Sequence, residues 1–114
     1  MHRIVCYGDS NTWGYIAGEG SRLPENQRWP SILQRKLGPD YEVVEAGVSG
    51  RTISLDDPDV AGRTGLKTLN EVLDGASPFT HLIVMLGTND TKMVFHQTEA
   101  SIQEEMRQFL TKAL

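Results

Sequence analysis

The sequence predicts one α/β domain built on a parallel sheet, and three observations carry that expectation. Apolar runs of strand length alternate with stretches of helical periodicity, in the order β-α-β-α-β-α. Each of the three strand-like runs breaks at a glycine: Gly8, Gly47 and Gly87. The helical stretches are apolar on one face only, as suits helices laid on a sheet. Parallel strands joined by right-handed crossovers bring the three glycine-led loops to one sheet edge.

The first strand is read over Arg3–Tyr7, and it ends in Gly8-Asp9-Ser10-Asn11. Thr12 to Tyr15 follows, then a loop rich in Gly, Ser, Pro and Asn through Asn26. Trp29, Ile32, Leu33 and Leu37 mark one face of a helix, with Pro30 in its first turn and Gly38-Pro39 as its stop. Tyr41–Ala46 is the second strand. Residues 48–63 are polar and loop-like; the run Asp56-Asp57-Pro58-Asp59 lacks the glycine and the terminal glutamate of a calcium loop and reads as a solvated loop. Thr64 can cap a helix carrying Leu66, Leu69, Val72 and Leu73, ended by Gly75 and Pro78. His81–Leu86 is a continuous apolar run, which predicts a central strand covered on both sides. The last helix spans Thr98 to Leu114, capped through Ser101 and Glu104 or through Thr98, with Ile102, Met106, Phe109, Leu110 and Ala113 facing the core.

A length of 114 residues suits one domain, 1–114, and is too short for two. With 39% hydrophobic and 23% charged residues the chain has a globular balance, and a net charge of −4 without basic clusters argues against nucleic acid or an anionic membrane as partner. No stretch approaches the ~20 apolar residues of a membrane span, and the N-terminus lacks the apolar core of a signal peptide. The expected location is the cytoplasm. Cys6, the single cysteine, lies in an apolar run and reads as a buried reduced thiol rather than a metal ligand or half of a disulfide.

A serine on a sharp turn at the carboxyl edge of a sheet is a candidate nucleophile, though the same four residues also make an ordinary strand-ending turn. The topology makes a geometric claim: Ser10, Gly47 and Asn89 converge. Together they supply what acyl transfer needs, a hydroxyl and donors aimed at an oxyanion. Ser10 offers its hydroxyl and its N–H, Gly47 an N–H that no Cβ screens, and Asn89 a neutral amide. Asp9, Asn11 and Asp90 are expected to support the site from behind. Trp13 is a candidate wall of the substrate pocket, although aromatic residues near clefts are as often simple packing.

Gly8-Asp9-Ser10-Asn11, the segment Ala46-Gly47-Val48-Ser49-Gly50-Arg51-Thr52, and Gly87-Thr88-Asn89-Asp90 resemble, in order and placement, the first three blocks of the SGNH (GDSL) hydrolases. Gly8 through Gly14, Arg51-Thr52, Asp57-Pro58 and Met85 through Lys92 are similar to the arylesterase/acyltransferase branch of that family, which includes perhydrolases. The resemblance implies a three-layer α/β/α flavodoxin-like fold and a serine ester hydrolase or acyltransferase. Ser10 would be the nucleophile, and Ser10, Gly47 and Asn89 the oxyanion hole. Small esters, thioesters or acetylated sugars would be the substrates, and neither metal nor organic cofactor is implied.

The family's Asp-x-x-His block, source of the general base, has no counterpart here. No Asp lies three residues before His2, His81 or His96. His2 and His81 open strands whose far ends carry the site, roughly 16–20 Å away at ~3.3 Å per residue; His96 lies on the correct side of the sheet. Three explanations stand: a fragment truncated before that block, a second chain that supplies the missing strands and histidine, or a non-catalytic remnant. The first two would also cover a bare sheet edge, by a missing C-terminal segment or a homo-oligomer. The competing reading is a binding module for an acyl or acetyl-sugar ligand.

Overall fold

A computed structural model describes residues 2–58 and 62–114. The residue Asp59 of the acidic run lies outside the described residues. The chain runs β1 (His2–Gly8), α1 (Ser10–Trp13), α2 (Trp29–Leu37), β2 (Tyr41–Gly47), α3 (Gly65–Ala76), β3 (His81–Met85) and α4 (Glu99–Ala113). Short 3-10 turns occupy Glu25–Gln27, Thr88–Thr91 and Met93–Phe95. The sheet is parallel with strand order β2-β1-β3.

β1 is therefore the central strand, and β3 is not. The apolar run at 81–86 predicts a central strand; the structure places β3 at an edge, with His81 exposed and Met85 45% exposed. Both faces of the run are partly covered, and that is what hydropathy reports. The free edge is a matter of backbone pairing, which leaves no mark on side-chain polarity.

Alternating residues of the strands face two helical layers. Tyr7, Ala46, Leu82 and Val84 lie on the face packed by α3 and α4, where Tyr7, Ile53, Leu69 and Phe109 form the fully buried core. The Tyr7 hydroxyl is satisfied there, donating to Gly65 O at 2.6 Å and sharing a hydrogen bond with Thr68 Oγ1. α2 packs against β2 on the opposite face. The helical faces hold except at Ile32, which is 36% exposed on α2, and at Leu110, which is 44% exposed beside the buried Phe109.

The helix starts differ in detail from the sequence reading. Thr64 precedes α3, but its hydroxyl donates to Asp56 Oδ1 at 2.6 Å instead of capping the helix. At α4, Thr98 and Ser101 form a reciprocal capping box, and Glu104 turns outward to Arg107.

β2 is an edge strand on the other side of the sheet, and one side chain covers part of it. Gln34 Nε2 donates to Tyr41 O at 2.7 Å, while Gln34 Oε1 accepts from Val43 N at 2.7 Å. The carboxamide thus bonds the strand as a neighbouring peptide would. Among the described residues no helix is long and apolar enough to cross a membrane.

Candidate active site

The three strands end level. Gly8 of β1 stands opposite Gly47 of β2 and Met85 of β3. The segments that follow, 9–13, 47–53 and 86–92, leave the same sheet edge, and hydrogen bonds tie the second of them to Gly8 at the end of β1 and to the third.

Asp9 turns the chain from β1 into α1. It is 3% exposed, and its carboxylate accepts from Asn11 N at 3.1 Å as the helix cap. Burial pushes its pKa above the usual carboxylate value, against the Asn11 N–H and the nearby Arg51 charge. Ser10 is half-buried and opens α1; Asn11 is exposed. α1 ends after one turn because Gly14 adopts φ 100°, a left-handed conformation suited to glycine.

The path of β2 is fitted to that turn. A Cβ on Gly47 would lie 2.4 Å from Trp13 N and 2.7 Å from Thr12 C, so only glycine lets the two backbones approach. Trp13 and Tyr15, with Gly47, Ser49 and Arg63, line a hollow of about 320 Å³. Arg22 fixes the Trp13 end of it, its guanidinium 4.9 Å from the indole centre and its Nε donating to Trp13 O at 2.7 Å. A smaller hollow of about 180 Å³ opens between Asp9, Asn11, Met85 and Thr88.

Asn89 Nδ2 donates to Arg51 O at 3.1 Å, which uses one of its two amide hydrogens and holds the carboxamide in place. Asp90 is fully buried, and both its oxygens accept from Ile53 N at 3.1 Å. Asn11 apart, the expected supporting residues, Asp9 and Asp90, are thus interior groups that hold backbone.

Arg51, which the sequence offers only as part of a family block, links the loops. It is 4% exposed and stacks on Tyr7, with its guanidinium carbon 4.0 Å from the ring centre. Its Nη1 donates to Ala46 O at 2.6 Å and to Gly8 O at 3.3 Å, while its own carbonyl receives Asn89. The sequence signal for this residue is slight: an arginine after Gly-Val-Ser-Gly at a strand end.

The acidic run is not wholly solvated. Asp57 is buried and ion-paired with Lys92, which joins the 51–57 loop to the segment after Asp90. Asp56 does face solvent, paired with Lys67 at 2.7 Å.

His2 and His81 lie together at the opposite edge of the sheet, ring centres 6.5 Å apart. His96 is exposed and ends the Met93–Phe95 turn at φ 48°. Cys6 is buried, and burial together with the Glu45 charge raises its thiol to about 11. Among the described residues no cluster of three or more His, Cys, Asp or Glu is placed to hold a metal.

The model of the GDSL-like Lipase/Acylhydrolase family matches residues 6–114. An aryl esterase of M. smegmatis, solved with an inhibitor bound, superposes with a TM-score of 0.93 at 37% identity over 97% of this chain. Est24, a carbohydrate acetylesterase from Sinorhizobium meliloti, superposes with a TM-score of 0.88 at 43% identity over 93% of the chain. The uncharacterized lipoprotein YqeF of Bacillus subtilis (strain 168) is 30% identical over 95 residues. The chain spans 54% and 51% of the two solved structures and 33% of YqeF.

Proposed function

Because the chain belongs to the GDSL-like lipase/acylhydrolase family, we propose that it is a serine ester hydrolase or acyltransferase that works through an acyl-Ser10 intermediate. The observation that carries this reading is the level ending of β1, β2 and β3, where Arg51 bonds the ends of β1 and β2 and Asn89 bonds Arg51.

In the first step Ser10 Oγ attacks the carbonyl carbon of the ester and gives up its proton to a base. The carbonyl electron pair moves onto oxygen, where the N–H groups of Ser10 and Gly47 and the free amide hydrogen of Asn89 receive it. Collapse of the tetrahedral intermediate breaks the bond to the alkoxy group, which leaves as the alcohol with the proton the base returns. Water, an alcohol or peroxide then attacks the acyl-serine by the reverse sequence. Removal of one such donor typically costs ~10²–10³ in rate.

The hollow beside Trp13 has room for a small acyl group or a sugar, which fits small esters, thioesters and acetylated sugars as substrates. No cofactor enters the scheme. The base is supplied by His96 or by a segment or second copy that pairs with the outer edge of β3, where Met85 is exposed.

A second reading, a binding module for an acyl or acetyl-sugar ligand, draws its support from the same hollow beside Trp13. Intact-mass analysis after treatment with a fluorophosphonate separates the two. A single adduct on the 114-residue chain that disappears in Ser10→Ala is the expected result. An unlabelled chain that still binds an acetylated sugar means the binding module instead.

A further inference from the structure

Arg51 is not among the residues to which the proposed chemistry assigns a role, yet it reaches two of them from its opposite ends. Ala46 C=O and Gly47 N–H are the two ends of one peptide group, kept planar by resonance. A cation hydrogen-bonded to that oxygen at 2.6 Å fixes the plane along which the N–H points. It also draws electron density from the nitrogen, which strengthens the N–H as a donor. At the other end of the residue, the Arg51 carbonyl holds Asn89 Nδ2 at 3.1 Å and so orients the second amide hydrogen.

We propose that Arg51 is the positioning residue of the oxyanion hole, its guanidinium setting the Gly47 N–H and its carbonyl setting the Asn89 amide. The catalytic consequence rests on the ester-hydrolase reading above; the placement of the two donors does not. The surroundings support it. A guanidinium that is 4% exposed, stacked on Tyr7 and with no partner at Nε carries a desolvation cost that two carbonyl bonds offset only in part. Its positive charge lies one peptide group from the Gly47 donor, in a largely buried place where screening is weaker than at an exposed surface. Lysine is no substitute, because an ammonium lacks the flat fork that stacks on a ring while it donates in its own plane.

The test uses the 114-residue chain with Arg51→Lys and Arg51→Ala. In ¹⁵N-labelled protein, Arg51→Lys is expected to move the Gly47 amide and Asn89 side-chain cross-peaks, while the Gln34 side-chain peak stays in place. Phosphonylation of Ser10 by a fluorophosphonate, in which Oγ bonds phosphorus and fluoride leaves, is expected to slow roughly tenfold or more in Arg51→Ala. Guanidinium added below its denaturing range is expected to restore part of the rate. It has a route in, since a hollow of about 530 Å³ borders Ala46, Gly47 and Arg51. A merely unfolded variant gains nothing from that addition. A Gly47 peak that does not move in Arg51→Lys overturns the proposal, as does an Arg51→Ala rate within about twofold of the parent. If the parent chain is not phosphonylated at all, the nucleophile reading fails, and the two cross-peaks alone decide the placement for or against.

Discussion

Both carboxylate oxygens of Asp90 accept from the single N–H of Ile53, each at 3.1 Å. The bond pins the 51–53 loop to the end of β3, and it does so in a fully buried place. Burial raises the Asp90 pKa to about 6; the Ile53 N–H opposes the rise, and the charges of Glu105 and Asp9 add to it. The folded pKa lies above the usual carboxylate value, so the native state binds the proton more tightly than the unfolded chain. The cost of ionisation is fully present above about pH 6 and is relieved as pH falls toward 4. Urea unfolding is expected to show a more stable chain at pH 5 than at pH 7. Asp90→Asn, which keeps an acceptor for Ile53, is expected to flatten that slope. Asp90→Ala orphans the N–H and is expected to cost about 1–3 kcal/mol.

Lys92 and Asp57 form a lopsided ion pair, with 39% of the lysine side chain exposed and 2% of the aspartate. Removal of the cation takes one countercharge from a buried carboxylate. A fully buried pair broken this way loses about 3–5 kcal/mol, and the exposure of Lys92 lowers the expectation for Lys92→Ala to about 1–2 kcal/mol. Lys92→Arg is expected to keep most of that stability. Thermal melts of the two variants at one pH decide it.

Gly47→Ala is expected to destabilise by about 1–3 kcal/mol or more. The added methyl meets Trp13 N and Thr12 C, backbone atoms that cannot rotate aside. Gly62→Ala meets nothing nearby, so it serves as the steric control, although its φ of 78° brings backbone strain of its own. Denaturant midpoints should rank Gly47→Ala well below Gly62→Ala.

Gln34→Leu removes the carboxamide that bonds Tyr41 O and Val43 N on the outer edge of β2. Two freed backbone groups on an edge strand invite pairing with another chain. Sedimentation velocity across a concentration series is expected to show the variant associating at concentrations where the parent does not. An unchanged profile means the Gln34 bonds serve the α2–β2 junction alone.

Much of this structure is legible in the residues, for identifiable reasons. The strands show because each apolar run is broken by a glycine, Gly8 and Gly47 where α1 comes close and Gly87 where φ reaches 127°, and α2, α3 and α4 show because their apolar residues repeat at helical spacing. Ser10, Gly47 and Asn89 fall after strands that pair in register, so topology alone brings their loops to one edge. The misreadings share a cause. The run at His81–Leu86 records which faces are covered, while edge position is written in backbone bonds. Asp57 sits in a polar run whose neighbour Asp56 is indeed exposed, and its partner lies 35 residues away. The contact of Arg51 with Gly8 spans 43 residues, and no local pattern separates an arginine that clamps carbonyls from one that faces water.

The central position of β1 also sets an order of events during synthesis. Ile4, Val5, Cys6 and Tyr7 are the most buried part of the sheet and leave the ribosome before β2 and β3. One flank is covered once β2 has emerged. The other waits for β3, whose approach is marked by the bond from Thr80 back to Arg3 across 77 residues. At 5–20 residues per second that delay is roughly 4–15 s. For that interval the nascent chain presents an unpaired apolar strand edge to solvent or to a chaperone. The residue stretch that becomes the best-protected strand of the finished domain is therefore its most vulnerable stretch while it is being made.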